Sequence, residues 1–415
     1  YSLQAFRPFA LSPSHPLAFR FSLFAFRFSL FAFRFSLFAF RFSLFAKARK
    51  QNKPYPMTAE IALQHLQRLF AEDHWPTTRR LVATREDPQP FVTANILAIL
   101  RRTSLPGDIF DNLMKRTRPF LAGFQAGHRV YHWPLRNGVS AMANSRLWGR
   151  IPALRLSPDA DNTCLQQLAL REEKWYPAIL EDLKYFRATS PPFRLPAIQA
   201  GFPRVEGSFL TWFPPMEQCR DPKLETVDLG VNANILWFLG ETGQMETRGA
   251  AQTAALVREL TEEGFYRREP FLASPYYPLP AVLVYLLSRA IRWGNLRELE
   301  DLGPVLMRHA ADIRPNSGFE WLCLANSAAL WQSEALAATW LDNALAHPRM
   351  LSPFYVAPLA FPLAQRFTPF KAIAQSPLTH LKFESEALFW AMLFWQQSSL
   401  STGGRGTTPA TKIRG

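Results

Sequence analysis

The sequence predicts an all-α fold, a helical toroid built of paired inner and outer helices. From residue 57 onward, Leu, Ala and aromatic residues recur at the spacing of an amphipathic or buried helix. Val, Ile and Thr do not alternate over strand-length runs, and the chain has a single Asn-Gly hairpin signal, at Asn137-Gly138. Several of the helices also resemble one another, which favours a closed array of similar units.

The helical periodicity covers eleven segments, and prolines cluster between them. The segments are Ala59 to Phe70, Phe91 to Arg102, Thr163 to Arg171, Lys174 to Arg187, Asn232 to Leu239, Thr253 to Glu263, Pro280 to Trp293, Asn295 to Ala311, Gly318 to Trp331, Ser333 to Ala346 and Ser385 to Trp395. Pro191-Pro192, Pro214-Pro215 and the segment Ser274 to Pro280 read as stiff connections.

Four helices share a small polar start and an apolar body, the pattern of buried inner helices. They include Thr93 to Leu100, Asp159 to Leu170, Asn232 to Leu239 and Leu324 to Leu330. Their spacings of roughly 65 to 90 residues leave room for outer helices between them. An irregular bundle and an open solenoid are the alternatives, although a solenoid repeats every 34 to 47 residues or so.

Residues 1–56 form a low-complexity leader, in which AFRFSLF occurs four times without change between Ala18 and Phe45. Such identity is typical of a tandem nucleotide repeat read through as protein, with Met57 as the natural start; a targeting segment or an interaction segment are the alternatives. We expect the leader to be disordered or not native coding sequence, residues 57–395 to form a single all-helical domain, and residues 396–415 to be a disordered tail.

The net charge of +14 does not predict nucleic-acid binding, because the leader holds nine of the 47 basic residues and no acid. The rest of the chain has 38 basic and 33 acidic residues. Cys164, Cys219 and Cys323 lie far apart, which indicates a cytoplasmic protein without a disulfide framework. The sequence has no transmembrane segment by hydropathy, although peripheral membrane contact is compatible with it.

Candidate catalytic residues lie at the starts of two predicted inner helices. Asp159, Asp161, Asn162 and Thr163 open one helix, and Asp228, Asn232 and Asn234 open another. Inner helices of a toroid begin at one end, so these side chains would surround a central cavity. Paired carboxylates in an apolar cavity push their pKa values apart, and one of them then stays protonated near neutral pH.

The segment Ser157 to Cys164, SPDADNTC, resembles the aspartate-rich motif of class II terpene cyclases of the squalene-hopene cyclase type. In that family, Asp-x-Asp-Asp-Thr begins an inner helix of a helical toroid. The resemblance implies that Asp161 protonates a polyprenyl alkene, that Asp159 is the first acid and that Thr163 is the threonine. Asn162 departs from the motif, since the family has an aspartate there.

The resemblance makes an acid-initiated cyclase the first functional hypothesis, with Asp161, Asp159, Asn162 and Asp228 as its catalytic residues. The alternatives are a non-catalytic toroid that binds a lipid or peptide or acts as a scaffold, and a glycan-acting enzyme. Cation intermediates would need π faces, which Trp133, Trp148, Trp175, Trp212, Trp237, Trp293, Trp321 and Trp331 could supply. We expect no cofactor, and no metal at His128 and His132, since no acid completes a site there.

Overall fold

The computed structural model describes residues 58–81, 83–136, 139–140, 156–188, 206–213 and 226–401. The leader, the Pro191-Pro192 and Pro214-Pro215 connections and residues 402–415 lie outside these ranges. Twelve helices of the described residues carry the architecture. They are α1 (Ala59–Arg68), α2 (Pro90–Leu100), α3 (Gly107–Ala122), α4 (Ala160–Leu170), α5 (Tyr176–Tyr185), α6 (Leu229–Glu241), α7 (Ala250–Glu262), α8 (Pro280–Trp293), α9 (Gly303–Asp312), α10 (Gly318–Leu330), α11 (Glu334–Ala346) and α12 (Glu386–Ser401).

The even-numbered helices form a closed inner ring. Each packs against the next in the order α2, α4, α6, α8, α10 and α12, and α12 packs back against α2. An odd-numbered helix lies outside each of them, and α1 covers α12, so the first helix closes the ring beside the last. The fold is therefore the predicted helical toroid of paired inner and outer helices.

Burial explains why the inner helices are apolar all round. Every residue of α2 and α4 is buried, because neighbouring inner helices cover two sides and an outer helix covers a third. The inner helices also begin in similar ways: Asp159, Asp228 and Ser317 accept hydrogen bonds from backbone N–H groups of α4, α6 and α10. Outer helices such as α1 are amphipathic, with Ala62 and Leu66 as its buried side.

The expectation of an all-helical chain missed several short strands. β1 (Thr78–Arg80), β2 (Thr84–Glu86), β7 (Tyr355–Pro358) and β8 (His380–Glu384) form an antiparallel sheet in the order β2-β1-β8-β7. Two hairpins add β3 (Gln125–Ala126) with β4 (Arg129–Val130), and β5 (Leu135–Arg136) with β6 (Val139–Ser140). The second hairpin flanks Asn137-Gly138, the turn signal in the sequence.

Helix boundaries differ from the prediction in three places. The helix α3 was not predicted, because it is rich in charged residues and contains Pro119. The segment Asn295 to Ala311 divides into a 3-10 helix, Arg297–Leu302, and α9. The last helix, α12, continues to Ser401, so the tail expected to be disordered from residue 396 is helical in its first six residues.

Candidate active site

The start of α4 is held by hydrogen bonds among its own residues. The Asp159 carboxylate accepts hydrogen bonds from the backbone N–H and the side-chain amide of Asn162. Thr163 donates its hydroxyl to the Asp159 carbonyl at 2.7 Å and accepts from the Val130 N–H at 3.0 Å. Burial raises the pKa of Asp159 to about 7, and its hydrogen bonds to Asn162 only partly offset that rise. Asp159 thus combines capping of α4 with a weakened acidity.

Asp161 lies in the first turn of α4 and contacts two other elements. Its carboxyl accepts a hydrogen bond from Asn234 Nδ2, on α6, at 2.8 Å and another from the Tyr277 hydroxyl, which precedes α8. Burial and the neighbouring charge of Asp159 hold the pKa of Asp161 well above its usual range. The two donors lower that pKa but act against the larger effect of burial. Burial and the charge of Asp159 therefore weaken the acidity of Asp161 and favour its protonated form.

A buried guanidinium fixes the Asn234 amide. Arg289, on α8, is fully buried and donates to Asn234 Oδ1 at 2.5 Å and to Asn95 Oδ1, on α2, at 2.8 Å. Its guanidinium also lies 4.5 Å from the centre of the Trp237 ring. Because Arg289 occupies the amide oxygen of Asn234, the amide nitrogen faces Asp161. The hydrogen bonds thus join α2, α8, α6 and α4 across the ring.

Asp228 supports the site rather than lining it. Its carboxylate caps α6 through the Val231 N–H at 3.0 Å and accepts from the Ser274 hydroxyl at 2.6 Å and the Tyr276 N–H at 3.0 Å. Burial raises its pKa to about 6. These contacts fix the loop that carries Tyr276 and Tyr277. Asn232 acts nearby in the same way, since its amide donates to backbone carbonyls of Phe209 and Asp228.

Gly230 allows Tyr277 to reach Asp161. A Cβ atom at residue 230 would lie 2.4 Å from Cδ2 of the Tyr277 ring, a distance that side chains do not tolerate. The ring therefore packs directly on the first turn of α6, and its hydroxyl reaches the carboxyl on α4. A larger residue in place of Gly230 would displace Tyr277 from Asp161.

A cavity lies at the amino-terminal ends of the inner helices, and Asp159, Asp161 and Asn162 line it. Its enclosed part has a volume of about 130 Å³, and its mouth is open to solvent. Its other lining residues are mainly aromatic or aliphatic: Phe91, His132, Trp133, Leu156, Thr211, Trp212, Val231, Tyr276, Tyr277, Tyr355, Val356, Ala357, Pro358, Leu359, Phe361 and Leu381. Strands β7 and β8 supply part of this wall, so the sheet covers the end of the toroid where the acids lie.

The cavity wall is held in place by contacts that join separate segments. The backbone of Trp212 pairs with Asp159 in a β-bridge, and the Trp212 indole donates to the Tyr276 hydroxyl at 3.3 Å. Tyr355 stacks on Phe383 of β8 at 4.5 Å between ring centres. Aromatic faces such as these stabilise a nearby positive charge.

His128 and His132, the two histidines considered as metal ligands, contact different groups. His128 contacts Asp182 at 2.7 Å, and Asp182 also pairs with Arg129. His132 lines the cavity among aromatic rings, and burial lowers its pKa to about 3, so its imidazole is neutral. Among the described residues, no group of three His, Cys, Asp or Glu side chains has the geometry of a metal site.

The tryptophans divide between cavity and core. Trp133 and Trp212 line the cavity but are only 3% and 6% exposed, which weakens a glycan-acting function that would need exposed stacking faces. Trp237 packs on Arg289 away from the cavity lining, and Trp148 lies outside the described residues. Position on an inner helix thus did not decide which tryptophans face the ligand space.

Sequence reasoning missed the tyrosines of the site. Tyr276 and Tyr277 lie in the segment Ser274 to Pro280, read only as a stiff connection, and Tyr355 lies in an unpredicted strand. The signal present in the sequence was an aromatic pair immediately before a helix that begins with Pro280. In a toroid, such a pair lies at the same end as the inner-helix starts.

Large apolar side chains are exposed close to the cavity. They are Leu363, Phe367, Phe370, Ile373 and Leu378, and they follow the lining residue Phe361 in the chain. Contact of this apolar surface with a lipid bilayer stays a prediction, which cosedimentation with phospholipid vesicles would test. Among the described helices, none has the length and hydropathy that a membrane span requires.

Comparison with known proteins finds a structural likeness but no likeness in sequence. No protein-family model and no curated protein matches the sequence. Among solved structures, the chain is similar to the type II terpene cyclase MstE from Scytonema in its apo form. The identity is 12%, the TM-score is 0.46, and the match covers 83% of this chain and 97% of that one. The assignment of the toroid rests on the helix packing described above.

Proposed function

We propose that the protein is a terpene-cyclase-like enzyme that begins the cyclisation of a polyprenyl substrate by protonating an alkene with Asp161. The observation that carries the proposal is the placement of this buried carboxyl, whose pKa is raised, in the wall of a cavity lined by aromatic rings. A carboxylic acid protonates an alkene poorly in water. Inside a cavity that excludes water, proton transfer competes better, because the resulting cation is not captured by solvent.

In the proposed reaction, the Asp161 O–H bond breaks and its proton forms a C–H bond with the π electrons of the alkene. The neighbouring carbon becomes a carbocation, and the π electrons of a second alkene close the ring. Water at the open cavity mouth takes a proton from a carbon beside the final cation, which restores a double bond, and water returns a proton to the Asp161 carboxylate. The product is an isomer of the substrate, so no oxidant or reductant is needed.

The residues around Asp161 favour its conjugate base during this step. Tyr277 and Asn234 donate hydrogen bonds that strengthen when the carboxyl becomes a carboxylate. Asp159 acts in the opposite sense, because its negative charge raises the pKa of Asp161. In this proposal, Asn162 positions Asp159 through its amide, and Asp228 positions the loop of Tyr277. In this proposal, the surroundings of Asp161 raise its pKa before the reaction, and the hydrogen bonds from Tyr277 and Asn234 stabilise its anion after the proton has left.

The test is incubation with squalene and with geranylgeranyl diphosphate, followed by mass-spectrometric analysis of products. We expect an isomeric cyclic product from the wild type and a loss of roughly 10²- to 10⁴-fold in Asp161→Asn, the usual contribution of a general acid. Asp87→Asn is the matched control, since Asp87 is another buried carboxyl with a raised pKa that does not line the cavity. No product from either substrate, or equal product from wild type and Asp161→Asn, would rule out the mechanism.

The second candidate is a toroid that binds a lipid without transforming it. Asn162 favours this candidate, because the motif that the chain resembles has a third carboxylate at that position. A lipid-binding protein would take up a polyprenyl ligand in the same cavity and release it unchanged. Ligand binding that is equal in wild type and Asp161→Asn, with no product from either protein, identifies this function.

A further inference from the structure

Arg289 is a buried cation with no role in the reaction proposed above. Its side chain is fully buried on α8, and its guanidinium donates to the amide oxygens of Asn95 at 2.8 Å and of Asn234 at 2.5 Å. The ring centres of Trp237 and Tyr285 lie 4.5 Å and 5.2 Å from it. Since a guanidinium keeps its charge in proteins, a positive charge lies inside the ring, and the described groups in contact with it are amides and aromatic rings.

The side chain of Arg289 crosses the inner ring. In the order α2, α4, α6, α8, α10 and α12, α8 lies opposite α2, the helix that carries Asn95. Asn95 is itself fixed, because its Nδ2 donates to the Phe91 carbonyl of the same helix at 2.9 Å, which leaves its Oδ1 for Arg289. The helix across the ring therefore holds the guanidinium, while its other terminal nitrogen reaches Asn234.

The hydrogen bonds run in one direction, from Arg289 to Asp161. A guanidinium only donates, so it faces the oxygen of the Asn234 amide, and the amide nitrogen is left to donate to Asp161 Oδ1 at 2.8 Å. Hydrogen bonds in such a series polarise one another. A cation at the amide oxygen draws electron density from the amide nitrogen, so its N–H group becomes a stronger donor to a carboxylate.

The other ionisable groups around these hydrogen bonds are acids. Those that face Asp161 are Asp159, Cys164, Asp228, Tyr277 and Tyr355. Those that face Arg289 are Tyr285 and Cys323. Each of these groups is neutral or negative in either protonation state. Among the described residues, the positive charge that hydrogen bonds connect to the Asp161 carboxyl is therefore that of Arg289.

We propose that Arg289 is a positioning residue for the acid, and that its charge, transmitted by the Asn234 amide, stabilises the Asp161 anion when the proton leaves. The inference rests on the proposed function only in taking a substrate as the acceptor of that proton. Ionisation of Asp161 also provides the counter-charge that a buried guanidinium requires. The cation and the carboxyl thus act as one unit, although a neutral amide separates them.

The experiment follows the ionisation of Asp161 without substrate. Infrared spectra are recorded as a function of pH, and the spectrum of each protein with Asp161→Asn added is subtracted, which leaves the carboxylic C=O band that depends on Asp161. Arg289→Gln retains a donor for Asn234 but loses the charge, so we expect the midpoint of this band to rise by about one pH unit. Arg289→Lys retains the charge and should restore a midpoint close to that of the wild type.

Asp159 and Asp228 titrate together with Asp161, so the midpoint belongs to the coupled acids. Both are present in every variant, and the shift between variants is therefore the quantity to compare. A midpoint that is the same in the wild type and Arg289→Gln overturns the inference.

Arg101→Gln is the matched control. Arg101 is a partly buried arginine that also donates to a group on α4, the Ala169 carbonyl, at 2.6 Å. Residues 161 and 169 are eight apart on this helix, which separates them by about 12 Å. The control should leave the midpoint unchanged. A shift in Arg101→Gln as large as that in Arg289→Gln would show a general effect of lost positive charge and would contradict the inference.

A double-mutant cycle separates transmission by the amide from the direct field of the charge. Asn234→Leu removes the group that links Arg289 to Asp161. In that background, Arg289→Gln should shift the midpoint by less than about half of its shift in the presence of Asn234. Equal shifts in both backgrounds would show that the charge acts without Asn234, and transmission by the amide would be refuted.

If Arg289→Gln does not fold, a measurement that leaves Arg289 unchanged decides the question. Arginine labelled with ¹³C in its guanidinium group is incorporated, and the guanidinium bands are compared below and above the titration of Asp161. A band change that is present in the wild type and lost in Asp161→Asn supports the inference. Guanidinium bands that do not depend on Asp161 overturn it.

The outcome is distinguishable from that of the cyclase proposal, because the titration needs no substrate. A midpoint that depends on Arg289, in a protein that forms no cyclic product, upholds the positioning role and refutes the catalysis. A protein that cyclises squalene with Asp161 but has the same midpoint in the wild type and Arg289→Gln does the reverse.

Discussion

The two ends of the inner ring differ in how their charged side chains are paired. At the amino-terminal end, Asp159, Asp161 and Asp228 are buried, and among the described residues no basic side chain forms an ion pair with them. At the carboxy-terminal end, Arg102 and Arg171 both pair with Glu241. One end thus holds carboxyls without cations, and the other is closed by paired charges.

The helix dipole explains which sign of charge lies at each end of the inner helices, but it does not explain the ion pairs of Glu241. Amino-terminal N–H groups favour acids and carboxy-terminal carbonyls favour cations, and both occur here. Arg101 donates to the Ala169 carbonyl at 2.6 Å, and Arg102 to the Trp293 carbonyl at 3.3 Å, at the ends of two inner helices. Pairing at this end stabilises the ring, whereas burial at the other end raises the pKa values of the three acids. We infer that ion pairs stabilise the ring at its carboxy-terminal end, whereas the amino-terminal end holds the candidate catalytic acids.

The largest expected effect on stability comes from opening the paired end. Glu241→Leu leaves Arg102, Arg171 and the Trp237 indole N–H without their acceptor. Because the carboxylate and Arg102 are only partly exposed, we expect the free energy of unfolding in urea to fall by about 3 kcal/mol. Glu300→Gln breaks the exposed pair with Arg292 and should cost at most about 0.5 kcal/mol. Equal costs for the two variants would contradict the structural role of this end.

The buried carboxyls at the amino-terminal end of the ring should make the free energy of unfolding depend on pH. Asp161 holds its proton in the folded state at pH values where the unfolded chain has lost it, so its contribution is full below about pH 4 and is lost as pH rises. Relative to the wild type, Asp161→Asn should therefore gain stability between pH 5 and pH 8, by up to about 1.4 kcal/mol for each pH unit over which the carboxyl titrates.

The difference between the two proteins removes the contributions that both share, but Asp159 and Asp228 titrate in the same range and interact with Asp161, so the difference reports the titration of the coupled acids. His132 has a lowered pKa, and its contribution falls as pH drops below about 6.5, which would obscure the slope of either protein alone. Urea unfolding of both proteins at each pH measures the difference. A stability gap that is constant from pH 5 to pH 8 would show that Asp161 is not protonated in the fold.

The inner ring could be predicted from sequence because its helices are buried on every side. Segments such as Asn232 to Leu239 are apolar all round, and that pattern identifies an inner position without knowledge of neighbours. The outer helix α3 could not be found this way, since its burial is limited to one side and Pro119 interrupts its pattern. The strands were missed because strands of two to five residues are too short for alternation to be visible.

The candidate site was predicted only where it is local in sequence. Asp159 and Asp161 lie at a recognisable helix start. The structure places Asp228 at the start of the next inner helix, outside the cavity lining, and the catalytic roles of these residues stay a prediction. Which carboxyl lines the cavity depends on long-range contacts: Ser274 and Tyr276 occupy Asp228, whereas Tyr277 and Asn234 hold Asp161 at the cavity wall. No local pattern encodes such contacts.

The central claim is that Asp161 is a protonated acid at neutral pH, and infrared difference spectroscopy tests it most directly. The spectrum of Asp161→Asn is subtracted from that of the wild type at pH 7. We predict a band of a protonated carboxylic C=O that shifts in D₂O. A difference spectrum with carboxylate bands alone would show that Asp161 is ionised and would contradict the account.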